Sequence, residues 1–381
     1  MGYEPRHPCF CYPVLKIVTH DRINRSVDRY THDPTENITG RQQAESAPRI
    51  KPFGLILAIM AELVTFGETP LRFSPLENER LEMARETRVY ADGTSSNVAI
   101  AANELGADAL WLSKLVDTPL GRSVVSQVQE QGVDVEITWS DGADQRQGLL
   151  FHEAGQYPRE QQYWHDRSNT AMSTAEPGDF PMNRIRDAEI LFTDLGTAVQ
   201  SQTSAETTQA LLRAGAGGGA TTALDLTYAP GLASRETFLG LFEQLAGEVD
   251  VLFANESDVR TVFDRGGNAR ELANVLAADY DLEISVITRA QHGAVTLHNS
   301  PGTNVIHERK TIDADAIDST GQRSAFVGAF LEELIQGSDA ARALSVAVAT
   351  AALTRTIRGP YLTTVGDELE PLVEEVVERS Q

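Results

Sequence analysis

Lysine is nearly absent from this chain. Lys16, Lys51, Lys114 and Lys310 are the only four in 381 residues, and arginine supplies the remaining basic charge. Cysteine is scarcer still, with Cys9 and Cys11 close together near one end. Two such residues exclude a disulfide framework, and no His/Cys cluster accompanies them at zinc spacing, so no metal ligands are assigned. Long hydrophobic runs are missing too. The most apolar early stretch, residues 53–60, falls far short of the roughly 20 residues that span a bilayer. No small-residue cleavage site follows it, so it does not read as a secretory signal, and a cytoplasmic protein without a membrane partner is expected.

What is abundant is acid. Fifty-five Asp and Glu face 32 Lys and Arg, a net charge of −23. Such a surface repels phosphate backbones and anionic lipid, which argues against nucleic acid as a partner. Acid excess with lysine depletion is the composition expected of a protein kept soluble in concentrated salt, where self-repulsion is screened.

Residues 1–59 differ from the rest. They carry eight basic and six acidic residues, net +2, which leaves −25 for residues 60–381. Their periodicity is weak and their polar clusters resemble neither strand nor helix. Two accounts stay open, a disordered extension or an upstream stretch translated only on paper with Met60 as the start; the composition break favours the second. From Met60 onward apolar runs alternate with helical patterns. The runs are Leu63–Phe66, Ala109–Leu115, Glu189–Thr193, Thr222–Leu226, Val249–Ala254 and Ile284–Thr288. Near-continuous apolar strands between amphipathic helices predict a parallel sheet covered on both faces. Two irregular segments, about 70–90 and 137–163, predict a second, smaller sheet, and the chain from Gly321 on reads as helical.

Three polar motifs carry candidate chemistry. Gly215–Ala220 looks like a phosphate loop, but it follows a helix and precedes a strand. A phosphate cradle needs the opposite order, so these glycines are read as a helix end. Asp318-Ser-Thr-Gly-Gln-Arg-Ser324 sits just before a long helix, where backbone N–H groups and the helix dipole would face an anion; an ordinary helix cap is the plainer alternative. Asp92-Gly-Thr-Ser-Ser-Asn97 is a polar turn entering another helix, where Asn97 could bond hydroxyls or the turn could simply cap. His152-Glu153 and His165-Asp166 are adjacent pairs on strands, so each pair splits across two faces, and a solvated or lid-facing role is preferred.

Taken together, these pieces resemble the PfkB/ribokinase family of carbohydrate kinases, and within it the 2-keto-3-deoxygluconate kinases. The likeness rests on Leu63–Pro75 with Glu79-Arg-Leu-Glu82, on Asn97–Gly106, on Ser113–Gly121, on Val251–Glu256, on Val286–Arg289 and on Asp318–Phe326. It implies a three-layer α/β/α sandwich with a mostly parallel central sheet and a small β-sheet lid. It implies transfer of the ATP γ-phosphoryl group to a sugar or sugar-acid hydroxyl with Mg2+ assisting, and leaves assembly into a homo-oligomer open. Glu68, Gly93 and Asn97 would line the sugar site and Arg167 would meet a carboxylate. Asn255, Thr288, Arg289 and Gly293 would surround the nucleotide. The catalytic turn would be Gly321, Gln322, Arg323 and Ser324.

The chain departs from that family where it matters most. The closing motif Asp-Thr-x-Gly-Ala-Gly-Asp ends here in Ser324, at the position of the family's aspartate base, with Gln322 and Arg323 in place of small residues. The usual Asp-x-Asn-x-Arg reads Asp225-Leu-Thr-Tyr-Ala229, and Asp258 takes the acidic place after Asn255. A hydroxyl is too weak a base to replace a carboxylate, and loss of a general base typically lowers rates by about 10²–10⁴. Three readings follow: a sugar kinase, an inactive homologue that binds nucleotide or sugar in a regulatory role, or an enzyme of another class on the same fold.

Overall fold

A computed structural model describes residues 61–381 except 143, 156–157, 301–302 and 365–366. The expectations for residues 1–59 lie outside the described residues. In chain order the strands are β1 (Leu63–Phe66), β2 (Leu71–Pro75), β3 (Thr87–Ala91), β4 (Ala109–Val116), β5 (Asp134–Ser140), β6 (Leu149–Glu153), β7 (Gln162–Asp166), β8 (Ile190–Asp194), β9 (Thr221–Asp225), β10 (Val251–Asn255), β11 (Ile284–Thr288), β12 (Ala294–Ser300) and β13 (Thr303–Arg309). Nine form the sheet β13-β12-β11-β10-β9-β8-β1-β4-β5, and the other four form β3-β2-β6-β7.

Alternation along the central strands builds three layers. Ile190 and Phe192, with Val251 and Phe253, join one buried core alongside Trp111 and Phe330. Leu191, Leu252 and Ala254 join a second core with Phe66, Phe238 and Phe242. Successive side chains on a strand face opposite ways, so strands apolar at every position must be covered on both sides. From β5 through β11 every pairing is parallel, whereas β12 and β13 add an antiparallel edge. The mixed sheet follows from the short β11–β12 link, since a parallel return would require a crossover of a dozen or more residues. Residues 137–140, expected in the small sheet, instead finish β5 at the other edge of the large one. The small sheet takes only β2, β3, β6 and β7.

The helix Gln322–Ile335 is buried along most of its length and lies against the helix Thr94–Leu105. Gly328 makes that approach feasible, since a Cβ there would fall 2.7 Å from both the Ala101 Cβ and the Val98 carbonyl oxygen. Near its far end the same helix carries Glu332, only 7% exposed. Burial, reinforced by the neighbouring Glu333, pushes its pKa up to about 7. The folded state thus holds a proton that the unfolded chain releases near pH 4.5. Stability must fall as pH rises between those two values. Glu332→Gln removes that loss, so its advantage over wild type should grow from little at pH 5 to about 2–3 kcal/mol at pH 8. Denaturant unfolding at both pH values checks this, and an equal shift at both would contradict it.

Candidate active site

Polar side chains gather where the parallel strands end. Glu68 follows β1, while Asp194, Asp225, Asn255 and Thr288 are the last residues of β8, β9, β10 and β11. Open α/β sheets bind ligands outside the carboxyl ends of their strands, because the loops there diverge and leave a crevice. Two cavities occupy that crevice. One, of about 370 Å³, is lined by Glu68, Gly93, Asn97, Arg167, Gly321 and Ser324, with Tyr163 and His165 of β7 above them. The other, of about 470 Å³, is lined by Asn255, Thr288, Gly293, Gln322, Arg323 and Arg355 among others. Gln161, Ser319 and Arg323 border both.

The first cavity is lined by polar side chains. The Arg167 Nε–H donates to one carboxylate oxygen of Glu68, and its Nη2 donates to the Gly196 carbonyl oxygen at 3.3 Å. The other Glu68 oxygen is buried without a hydrogen-bond partner among the described residues. Asn97 Nδ2 donates to Asp92 at 2.7 Å, and its own Oδ1 is likewise unpartnered. Buried polar atoms are nearly always satisfied in folded proteins, so two orphan acceptors on residues that line one cavity point to a ligand there. Asp194, which sequence reasoning passed over, lies at the base. It accepts hydrogen bonds from Ser95 Oγ at 2.8 Å and from Thr197 N at 2.9 Å, and burial pushes its pKa up. Its role is to hold the turn after β8 against the helix that carries Asn97. His165 is kept neutral, its pKa lowered to about 4 by burial and then by Arg167.

Between the cavities lies the turn Asp318–Ser324. Asp318 Oδ1 accepts from the Thr320 N–H at 3.0 Å, and Oδ2 accepts from the Gly359 N–H at 3.1 Å. Gly321 then adopts φ 78° and caps the helix, and a Cβ on it would lie 2.1 Å from the Pro360 carbonyl oxygen. Only glycine fits there. The first-turn N–H groups of Gln322, Arg323 and Ser324 are therefore presented at a helix N-terminus, where anions are favoured.

The partner of Arg323 is what the sequence could not locate. The Arg323 Nε donates to Asp225 Oδ2 at 2.8 Å and its Nη2 to Asp225 Oδ1, a two-pronged pair with a carboxylate that is fully buried. Its Nη1 reaches Thr288 Oγ1 at 3.4 Å. Burial works against the guanidinium charge, but Asp225 outweighs it and the pKa rises. Beside this pair Asp258 is pushed up to about 6, chiefly by burial. Asn255 spends its Oδ1 on capping the helix Glu256–Phe263, accepting from Ser257 N at 2.7 Å. Arg289 does not line the second cavity; its guanidinium donates to Glu308 at 2.7 Å and to the His292 carbonyl oxygen at 2.9 Å. Gln161 and Tyr163, inside the irregular segment 137–163, were not singled out as site residues either. Among the described residues no cluster of three or more Asp, Glu, His or Cys side chains could hold a metal, and no helix is long and apolar enough to cross a membrane.

Comparison with known proteins agrees with this geometry. A 2-dehydro-3-deoxygalactonokinase of Haloferax volcanii is 43% identical over 310 residues, which is 81% of this chain and 96% of that protein. A 5-dehydro-2-deoxygluconokinase of Bacillus velezensis is 25% identical over 296 residues, 77% of this chain and 88% of its own. Among solved structures, a 2-dehydro-3-deoxygluconokinase of Thermotoga maritima superposes with a TM-score of 0.72 at 24% identity, over 82% of this chain and 99% of that one. An uncharacterized sugar kinase of Pyrococcus horikoshii in complex with ATP gives a TM-score of 0.69 at 20% identity, over 82% and 99%. These two share the fold. The pfkB family carbohydrate kinase model matches residues 60–365, a span that takes in both cavities and the glycine turn dividing them, and the chain belongs to that family.

Proposed function

We propose that this protein transfers the γ-phosphoryl group of ATP to a hydroxyl of a 2-keto-3-deoxy sugar acid. One observation carries the reading: two cavities meet at the N-terminus of the helix Gln322–Ile335, with Arg323 bordering both. The acceptor occupies the cavity lined by Glu68, Asn97 and Arg167, where the orphan oxygens of Glu68 and Asn97 take hydroxyl protons as hydrogen bonds. Arg167 keeps donor capacity toward a substrate carboxylate, and the Haloferax relative, named for a keto-deoxy sugar acid, supports that class. ATP lies in the second cavity, near Asn255, Thr288 and Gly293.

Phosphoryl transfer passes through a loose transition state, so positioning and charge stabilisation carry most of the catalysis. Here the amides of the glycine turn and the fixed charge of Arg323 supply them. Ser324 Oγ can hold the acceptor hydroxyl but cannot take its proton, so turnover is slow for this family. Mg2+ neutralises phosphate charge when bound, and it commonly rides on phosphates with one or two carboxylates. Asp225 is committed to Arg323, and Asp258 beside that pair lines neither cavity. Such a reaction belongs in the cytoplasm, and the acidic surface suits molar salt.

The test is ATP-dependent phosphorylation of 2-keto-3-deoxygluconate, 2-keto-3-deoxygalactonate, 5-keto-2-deoxygluconate and glucose, in molar KCl and at low salt. The highest kcat/KM is expected for a 2-keto-3-deoxy acid at high salt. A preference for glucose would overturn the substrate class. ATP binding without turnover of any acceptor would replace a kinase with a regulator.

A further inference from the structure

We infer that the lid and the body together form a separate binding site for a phosphate group, outside both substrate cavities. A third cavity of about 390 Å³ lies between the inner face of the small sheet and the segment 316–319. Its size is that of a small-metabolite site rather than a surface dimple. Three arginines line it: Arg72 and Arg88 from the small sheet, Arg358 from the body. In a chain carrying −23, such a concentration of positive charge has to be explained.

The state of each arginine points to a ligand. Arg72 is 1% exposed, its Nε 3.1 Å from Asp92 and its guanidinium over the Tyr90 ring at 5.1 Å. Its Nη1 is buried with no hydrogen-bond partner among the described residues. Arg88 is half-buried, Arg358 is exposed, and neither forms an ion pair among the described residues. Two carboxylates also line the cavity. Asp318 spends both oxygens on Thr320 and Gly359, and Glu77 is exposed at the rim. Counting Asp92, three carboxylates stand against the three arginines, but Arg88 and Arg358 pair with none of them, and an orphan guanidinium nitrogen of Arg72 lies at the buried end.

Arginine forks match phosphate oxygens, and charge-assisted bonds of this kind are the strong ones. Occupancy would tie Arg72 and Arg88 of the lid to Arg358 of the body through one dianion. Ser319 lines this cavity and both substrate cavities, so the bound group would favour a closed lid and tighten acceptor binding. The site is independent of which sugar acid is phosphorylated.

Calorimetric titration of the full chain with inorganic phosphate, and separately with glycerol 3-phosphate, tests it. Saturating β,γ-imido ATP and acceptor fill the two substrate cavities, and potassium glutamate replaces chloride. One phosphate group should still bind per chain, and Arg88→Gln with Arg358→Gln should weaken it by at least about tenfold. Tighter binding of the ester would identify a phosphorylated metabolite, and tighter binding of the free ion would identify phosphate itself. The double variant should keep wild-type kcat and KM when no phosphate is added. Loss of binding once the analogue is present would show that phosphate had occupied the helix N-terminus. That result, or unchanged affinity in the double variant, overturns the proposal.

Discussion

Replacing Arg323 by glutamine is expected to lower kcat by about 10²–10³ and to destabilise the fold by about 3–5 kcal/mol. The two effects have separate causes. Removing one donor aimed at developing charge typically lowers turnover by that factor. Removing one member of a buried ion pair leaves its partner charged and uncompensated, which is strongly destabilising. Asp225 is fully buried and bonded through both oxygens to this one guanidinium. Adding Asp225→Asn removes the stranded charge and should restore most of the stability. It should not restore kcat. Denaturant unfolding and steady-state kinetics on the single and double variants separate these roles. If the double variant regains turnover along with stability, Arg323 only holds β9 to the helix, and the amides of the turn carry the chemistry alone.

Ser324→Asp is expected to raise turnover by about 10²–10⁴, the contribution usual for a general base. The serine lines the proposed acceptor cavity in the first turn of the helix Gln322–Ile335, where a carboxylate is favoured by the dipole. Arg323, one residue before it, adds further positive charge, so the new group should be ionised at neutral pH. KM for the acceptor should change little, since the serine already stands at that wall. An ascending limb in the pH–rate profile, absent from wild type, would identify the new base. Unchanged kcat would mean that proton removal does not limit this enzyme and that substrate positioning does. Adding Arg323→Gly to this variant is not neutral, because it strands Asp225.

The readability of this fold had a physical limit. Strands β1, β4, β8, β9, β10 and β11 were legible because each carries a short apolar run and is buried on both faces. β5 and β13 were not, since Asp134–Ser140 and Thr303–Arg309 are edge strands with exposed polar positions. Their pairing is written in a neighbour rather than in themselves. The glycine turn could be read because its order, extended segment, turn and helix start, is local. The Arg323–Asp225 pair could not, since its members are 98 residues apart and meet only after two strands and the closing helix have docked. The bond of Arg289 to Glu308 on the antiparallel edge was hidden for a related reason, since its partner lies 19 residues further on.

The contact at Gly328 has a consequence for regiochemistry. The helix that ends in the glycine turn and the helix that carries Asn97 touch backbone to backbone there, so they behave as one stiff piece. On the proposed function, the span from Asn97 to the amides beyond Gly321 is then a ruler of fixed length between acceptor and phosphoryl group. An acceptor held at Asn97 offers the phosphorus whichever of its hydroxyls that length reaches, and chain length along the sugar carbons is measured against it. Wedging the helices apart with a methyl group at Gly328 would lengthen the ruler, and the carbon that receives phosphate would be the quantity to change first.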